Sequence, residues 1–199
     1  MIIGILFFIF GFVTWLNGSL IPFLKIICDL NDFQALFVTF AFYIAYTVMA
    51  LPMSFVLKRT GYRNGMAIGL LIMTFGSLVF IPAAYTGSYS IFLIALFILG
   101  TGLTILQTAS NPYVVLMGPN ESAAMRISIM GLINKGAGVI VPLVFTALIL
   151  SDLGDTSEAA LQALNAEQLQ QLSNRLVMPY LYMAIKTLGL IAKIDMCYQ

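Results

Sequence analysis

Four side chains stand where polar chemistry is costly. Asn17, Gln107, Asn134 and Lys135 each lie inside a long apolar run. In hydrocarbon, a polar group needs a partner or a water-filled cavity. The carboxamides of Asn17, Gln107 and Asn134 donate and accept at once, which suits an uncharged, hydroxyl-rich ligand. Each could equally tie two helices together by a hydrogen bond worth about 1 kcal/mol. Lys135 lies about 14 Å along its helix from Arg126, at ~1.5 Å per residue. Snorkelling relieves one turn of that depth, not all of it. No Asp or Glu falls in the first five apolar runs, so Lys135 must face a wet cavity, a ligand or free carbonyls. Asn134 points about 100° away from it. Trp15 is the only Trp, and its ring would serve as a stacking platform or an interface anchor. Asn111 precedes Pro112, which lacks an N–H and frees a carbonyl one turn back. Asn111 would fill that gap or touch a ligand.

Other chemistries are excluded. The chain has no His, which removes the commonest metal ligand and proton shuttle. Cys28 and Cys197 are far apart and form no CxxC, so neither a metal nor a redox motif is expected. No paired carboxylates lie in the apolar runs, and no nucleophile–base spacing is readable, so an enzyme is not expected. No cofactor is implied. Of 199 residues, 61% are hydrophobic and 9% charged, against about 25% charged in soluble domains. A soluble globule, a disordered chain and a nucleic-acid binder are all excluded on that count.

The elements that must hold these residues are membrane helices. A span needs roughly 20 apolar residues to cross ~30 Å of hydrocarbon. Runs at 2–24, 33–57, 65–84, 90–117 and 127–150 meet or approach that length. A sixth, 177–192, is shorter and contains Lys186. The expected fold is an all-α integral membrane domain of six helices in a lipid bilayer. Lys58, Arg59, Arg63 and Arg126 gather in connections on one side, while Asp152, Asp155, Glu158 and Glu167 crowd the loop 151–176. Basic loops stay inside, which places the N-terminus in the cytoplasm and that acidic loop outside. Within the loop, 157–173 reads as a short polar surface helix. Gly61 is suited to a turn at positive φ, and Gly100, Gly102, Gly136 and Gly138 to close helix approach.

One internal repeat is visible. Leu16-Asn17 leads to Pro22, and Leu106-Gln107 leads to Pro112, at equal spacing. The two helices are three apart and so run oppositely through the bilayer. Inverted repeats of three helices, with broken helices at matching places, mark transporters.

The segments Phe10–Gly18, Leu57–Gly61, Leu106–Tyr113, Leu116–Pro119, Ser122–Ala124 and Arg126–Lys135 together resemble the major facilitator superfamily. More narrowly they are similar to its fucose permease branch, which includes glucose/galactose transporters. The resemblance covers about residues 7–182 and only the first half of such a protein. It implies hexose transport by alternating access between two six-helix halves of a bacterial inner-membrane protein. Asn17, Gln107, Asn134, Lys135, Trp15 and Asn111 would then contact sugar. Fucose:proton symporters carry carboxylates where this chain has Gly18 and Gln107, and neither of these titrates. Coupling would therefore use Na⁺, or H⁺ through a group elsewhere. The resemblance fades after Met183, where Lys186 and Lys193 occur, as a frameshift would leave it. A separate C-terminal half is one expectation. A truncated, non-transporting membrane fragment is the other.

Overall fold

A computed structural model describes residues 2–28, 30–149 and 166–196. All regular structure among them is helical. Five α-helices follow in order: α1 Ile2–Ile27, α2 Asp32–Thr86, α3 Tyr89–Leu116, α4 Ala123–Ile149 and α5 Ala166–Met196. A single 3-10 turn, Asn120–Ser122, links α3 to α4. Among the described residues, four helices are long and apolar enough to cross a membrane, and α5 carries a shorter apolar stretch, Val177–Ala192.

Helix α2 has 55 residues and would reach about 82 Å if straight. It is not straight. Gly61 has φ 76° and ψ 171°, outside the helical region, a conformation essentially reserved for glycine. Two arms result, 32–60 and 62–86. The Tyr89 hydroxyl donates to the Gln34 carbonyl at 2.8 Å, and Gly100 lies against Phe42 and Ala45. The first arm therefore runs parallel to α3. Gly76 lies against Leu99, and Gly69 against Leu106, so the second arm runs antiparallel to it. The chain doubles back at Gly61, as the sequence expects.

The start of the first arm is fixed by a capping box. The Asn31 side chain accepts from the Gln34 N–H, and the Gln34 side chain accepts from the Asn31 N–H. Lys25 at the end of α1 pairs with Asp32, and the Lys25 hydrogen bond holds that exposed carboxyl below its usual range. Gly87, in the left-handed region, ends the second arm.

Helices α1 and α4 pack in parallel through small residues. A Cβ at Gly11 would lie 2.1 Å from the Asn134 carbonyl oxygen, and one at Gly138 would lie 2.5 Å from the Trp15 ring. Gly136, expected to do likewise, faces open space. Helix α5 packs antiparallel to the second arm of α2. The Phe80 and Tyr180 rings stack at 3.7 Å, and the Thr74 and Thr187 hydroxyls meet at 2.8 Å.

Two expectations are revised. Pro22 and Pro112 lie inside continuous helices, so the matching breaks are absent. A proline in a membrane helix removes one hydrogen bond without ending the helix when neighbours hold it. Residues 166–173 belong to α5 rather than to a separate surface helix, and the rest of that expected helix lies outside the described residues. Beyond Met183, α5 keeps packing, with Thr187 and Leu190 buried.

Arg126 does more than mark a side of the membrane. Its guanidinium donates to the carbonyls of Val114 (3.0 Å), Val115 (2.8 Å) and Pro119 (3.1 Å) and to the Ser122 hydroxyl (2.6 Å). Val114 and Val115 lie in the last turn of α3, where helix carbonyls lack intrahelical partners, and Pro119 and Ser122 belong to the connection that follows. One side chain thus ties the end of α3 to the start of α4.

Candidate functional site

The polar residues of the apolar runs divide into two groups. Hydroxyls on α3 are self-contained. Thr101, Thr104, Thr108 and Ser110 each donate to the carbonyl four residues back. They offer little to a ligand.

The amides behave differently. Asn17 is buried, at 5% exposure. Its Oδ1 accepts from the Tyr180 hydroxyl at 2.9 Å, while its Nδ2 is buried without a partner among the described residues. It borders a cavity of about 100 Å³ between α1, the first arm of α2 and α3, whose other polar lining comes from Thr14, Thr39 and Tyr43. That volume holds about three waters at ~30 Å³ each and falls below the roughly 300 Å³ of small-ligand pockets. Asn134 is half-buried, and its Nδ2 donates to the Phe7 carbonyl at 3.1 Å. Both amides therefore make interhelical bonds.

Lys135 is exposed on α4. Its ammonium lies 5.9 Å from the centroid of the Trp15 ring, within cation–π range. Trp15 is 40% exposed and rests on Gly138. Gly138 is thus the residue that lets the large ring approach the α4 backbone closely.

The structure brings Trp15 and Lys135 together and sets Asn134 beside them in sequence. It does not join all six candidates. Asn17 lies two residues from Trp15, about 200° around α1, and turns toward α5. Gln107 is half-buried and Asn111 exposed on α3, and neither side chain makes a hydrogen bond among the described residues. Tyr180 is a partner that the sequence did not single out. A tyrosine inside an apolar helix carries one polar tip that must find an acceptor when buried, and that was the available signal.

A bundle of long apolar helices with polar side chains between them defines an integral membrane protein. The Major Facilitator Superfamily profile matches residues 3–161, and the chain belongs to that superfamily. It is 39% identical over 181 residues to the glucose/galactose transporter of Brucella abortus biovar 1 (strain 9-941), covering 91% of this chain and 41% of that protein. It is 33% identical over 173 residues to the L-fucose-proton symporter of Escherichia coli (strain K12), covering 87% and 40%. The crystal structure of the transporter FucP in the outward conformation matches with a TM-score of 0.79 and 31% identity, over 98% of this chain and 48% of that one. The chain thus spans about two fifths of the length of the curated relatives it matches. It is a multi-pass membrane protein whose relatives carry sugars.

Proposed function

We propose that this chain forms the N-terminal, six-span half of a hexose transporter of glucose/galactose type, working by alternating access. The 39% identity to the Brucella abortus glucose/galactose transporter carries the reading. In it, the two arms of α2 are separate spans and α5 is the sixth. The N-terminus lies in the cytoplasm of a bacterial inner membrane, on the side of Lys58, Arg59 and Arg63. A six-helix C-terminal half, on the same or another chain, completes the sugar site.

The cavity beside Asn17 is too small to enclose a hexose, which fits a site shared between two halves. Trp15 offers a ring face to the apolar side of a sugar, and Lys135 offers donors to its hydroxyls. Gln107 and Asn111 offer further hydrogen bonds from α3. Asn17 and Asn134 fix the helices that carry these groups and contribute the remaining contacts. Coupling runs through Na⁺, or through H⁺ at a group outside α1 to α3, because Gly18 and Gln107 cannot titrate.

Uptake of labelled glucose and galactose by the transporter containing this chain tests the assignment. Gln107→Ala and Lys135→Ala should each raise KM at least about tenfold, as loss of one or two hydrogen bonds to substrate would. Unchanged kinetics in both variants would remove them from the site.

A further inference from the structure

Two apolar hollows line one flank of α1. The first, of about 250 Å³, lies between Ile5, Ile9 and Phe12 of α1 and Tyr182, Lys186 and Leu190 of α5. The second, of about 420 Å³, lies between Phe12 and Leu16 of α1, Val144 of α4, and Met178 and Tyr182 of α5. Phe12 and Tyr182 border both, so the hollows adjoin end to end and make one groove along α1. Along α1 it extends from Ile5 to Leu16, about 17 Å at ~1.5 Å per residue. That is roughly one leaflet of a ~30 Å hydrocarbon core. The Ile5 end lies three residues from the start of α1, so the groove opens near the membrane surface there.

One feature of the lining is not apolar. Lys186 is exposed, with its ammonium 5.1 Å from the centroid of the Tyr182 ring. Thr187 beside it is already committed to Thr74 and to the carbonyls of its own helix. A lysine at this depth needs a countercharge, free carbonyls or a path to the head-group region. None of the chain's eight Asp and Glu residues falls within the six apolar runs. No carboxylate within those runs, of this chain or of a second copy, is therefore available as a countercharge. A bilayer phospholipid has both a phosphate and an acyl chain of the right reach.

We propose that the groove binds one anionic phospholipid, with an acyl chain along α1 and its phosphate on Lys186. The lysine turns from Tyr182 toward Leu190 and meets the head group near the surface. In the free protein it rests on the Tyr182 ring, which shields the charge until a lipid arrives. This assignment stands apart from the transport reading, since the groove contains none of the proposed sugar contacts.

Native mass spectrometry of the full chain tests it, after release from nanodiscs of equal phosphatidylglycerol and phosphatidylcholine with matched acyl chains. One phosphatidylglycerol should be retained, preferred about fivefold, as one basic residue near a charged head group provides. Lys186→Met, which keeps the stem and removes the charge, should abolish the preference. Lys186→Arg should keep it. Ile9→Trp should fill the groove and reduce retention of both lipids. Helicity and elution volume identify any variant that fails to fold, and the remaining variants decide. Equal retention of the two lipids by the unchanged chain would overturn the proposal. So would an undiminished preference in Lys186→Met, or a lipid-free dimer mass with a second copy in the groove.

Discussion

The hydroxyl of Tyr180 and the amide oxygen of Asn17 meet at 2.9 Å, 163 residues apart in sequence and both buried. This bond joins the first helix to the last. It also fixes which end of the Asn17 carboxamide is spent, leaving Nδ2 as a donor unpaired among the described residues. Tyr180→Phe leaves both ends of that amide without a partner. Interhelical hydrogen bonds in membranes average about 0.6 kcal/mol, with a maximum near 1.7, and an abandoned buried group adds to that. A loss of about 1–2 kcal/mol is expected on unfolding in detergent. In an Asn17→Leu background the same change should cost far less, because no amide remains to be stranded. Equal costs in the two backgrounds would show that the bond does not couple them.

Arg126 yields the second expectation. Its fork donates to the carbonyls of Val114, Val115 and Gly118 at and just past the end of α3. Arg126→Ala should lower stability by about 2 kcal/mol, in the range for hydrogen bonds to a charged donor. Arg126→Lys should recover little, since an ammonium cannot reproduce the planar fork. Thermal denaturation of the three proteins in one detergent measures both effects.

Glycine replacements separate two kinds of position. Gly61→Ala should cost about 1–3 kcal/mol, because φ 76° with ψ 171° strains any side chain. Gly11→Ala should also destabilise, since its Cβ would fall on the Asn134 carbonyl. Gly131→Ala meets open space in mid-helix and should be neutral or stabilising by up to about 1 kcal/mol. The order of the three melting temperatures is the readout.

Cys28 supplies a pH-dependent expectation. Partial burial pushes its thiol up to about 11, and its Sγ donates to the Gly87 carbonyl at 3.3 Å. The thiolate is the reactive form, so at pH 7 only about one molecule in ten thousand carries it. In a Cys197→Ser background, maleimide labelling should be slow at pH 7. Its rate should rise about tenfold per pH unit up to about pH 10. A plateau near pH 8 would show that the thiol is not held up.

The membrane class was legible from composition, and the helices were legible from runs of apolar residues. Gly61 was legible as a turn because glycine tolerates a backbone that other residues avoid. The breaks expected at Pro22 and Pro112 did not appear, since a proline removes one bond and packing retains the helix. The candidate site was legible only in part. Lys135 and Trp15 stood out as a charge and a large ring in apolar surroundings, and they meet in space. Their contact depends on Gly138, whose role follows from three-dimensional packing. Tyr180 was invisible as a partner because nothing in a sequence reports which helices adjoin across 163 residues. Arg126 was read by its charge alone, while its function in the fold rests on the geometry of five donors.

The central claim is that this chain is one half of a hexose transporter, and its most direct test is uptake. Cells lacking their own glucose and galactose uptake would produce this chain alone, or together with the C-terminal half of the Brucella abortus glucose/galactose transporter. Co-purification would confirm assembly of the two. The account predicts saturable uptake of labelled glucose or galactose with the pair and none above background with the chain alone. Co-purified halves that move no hexose would contradict it, as would full saturable uptake by this chain without a partner.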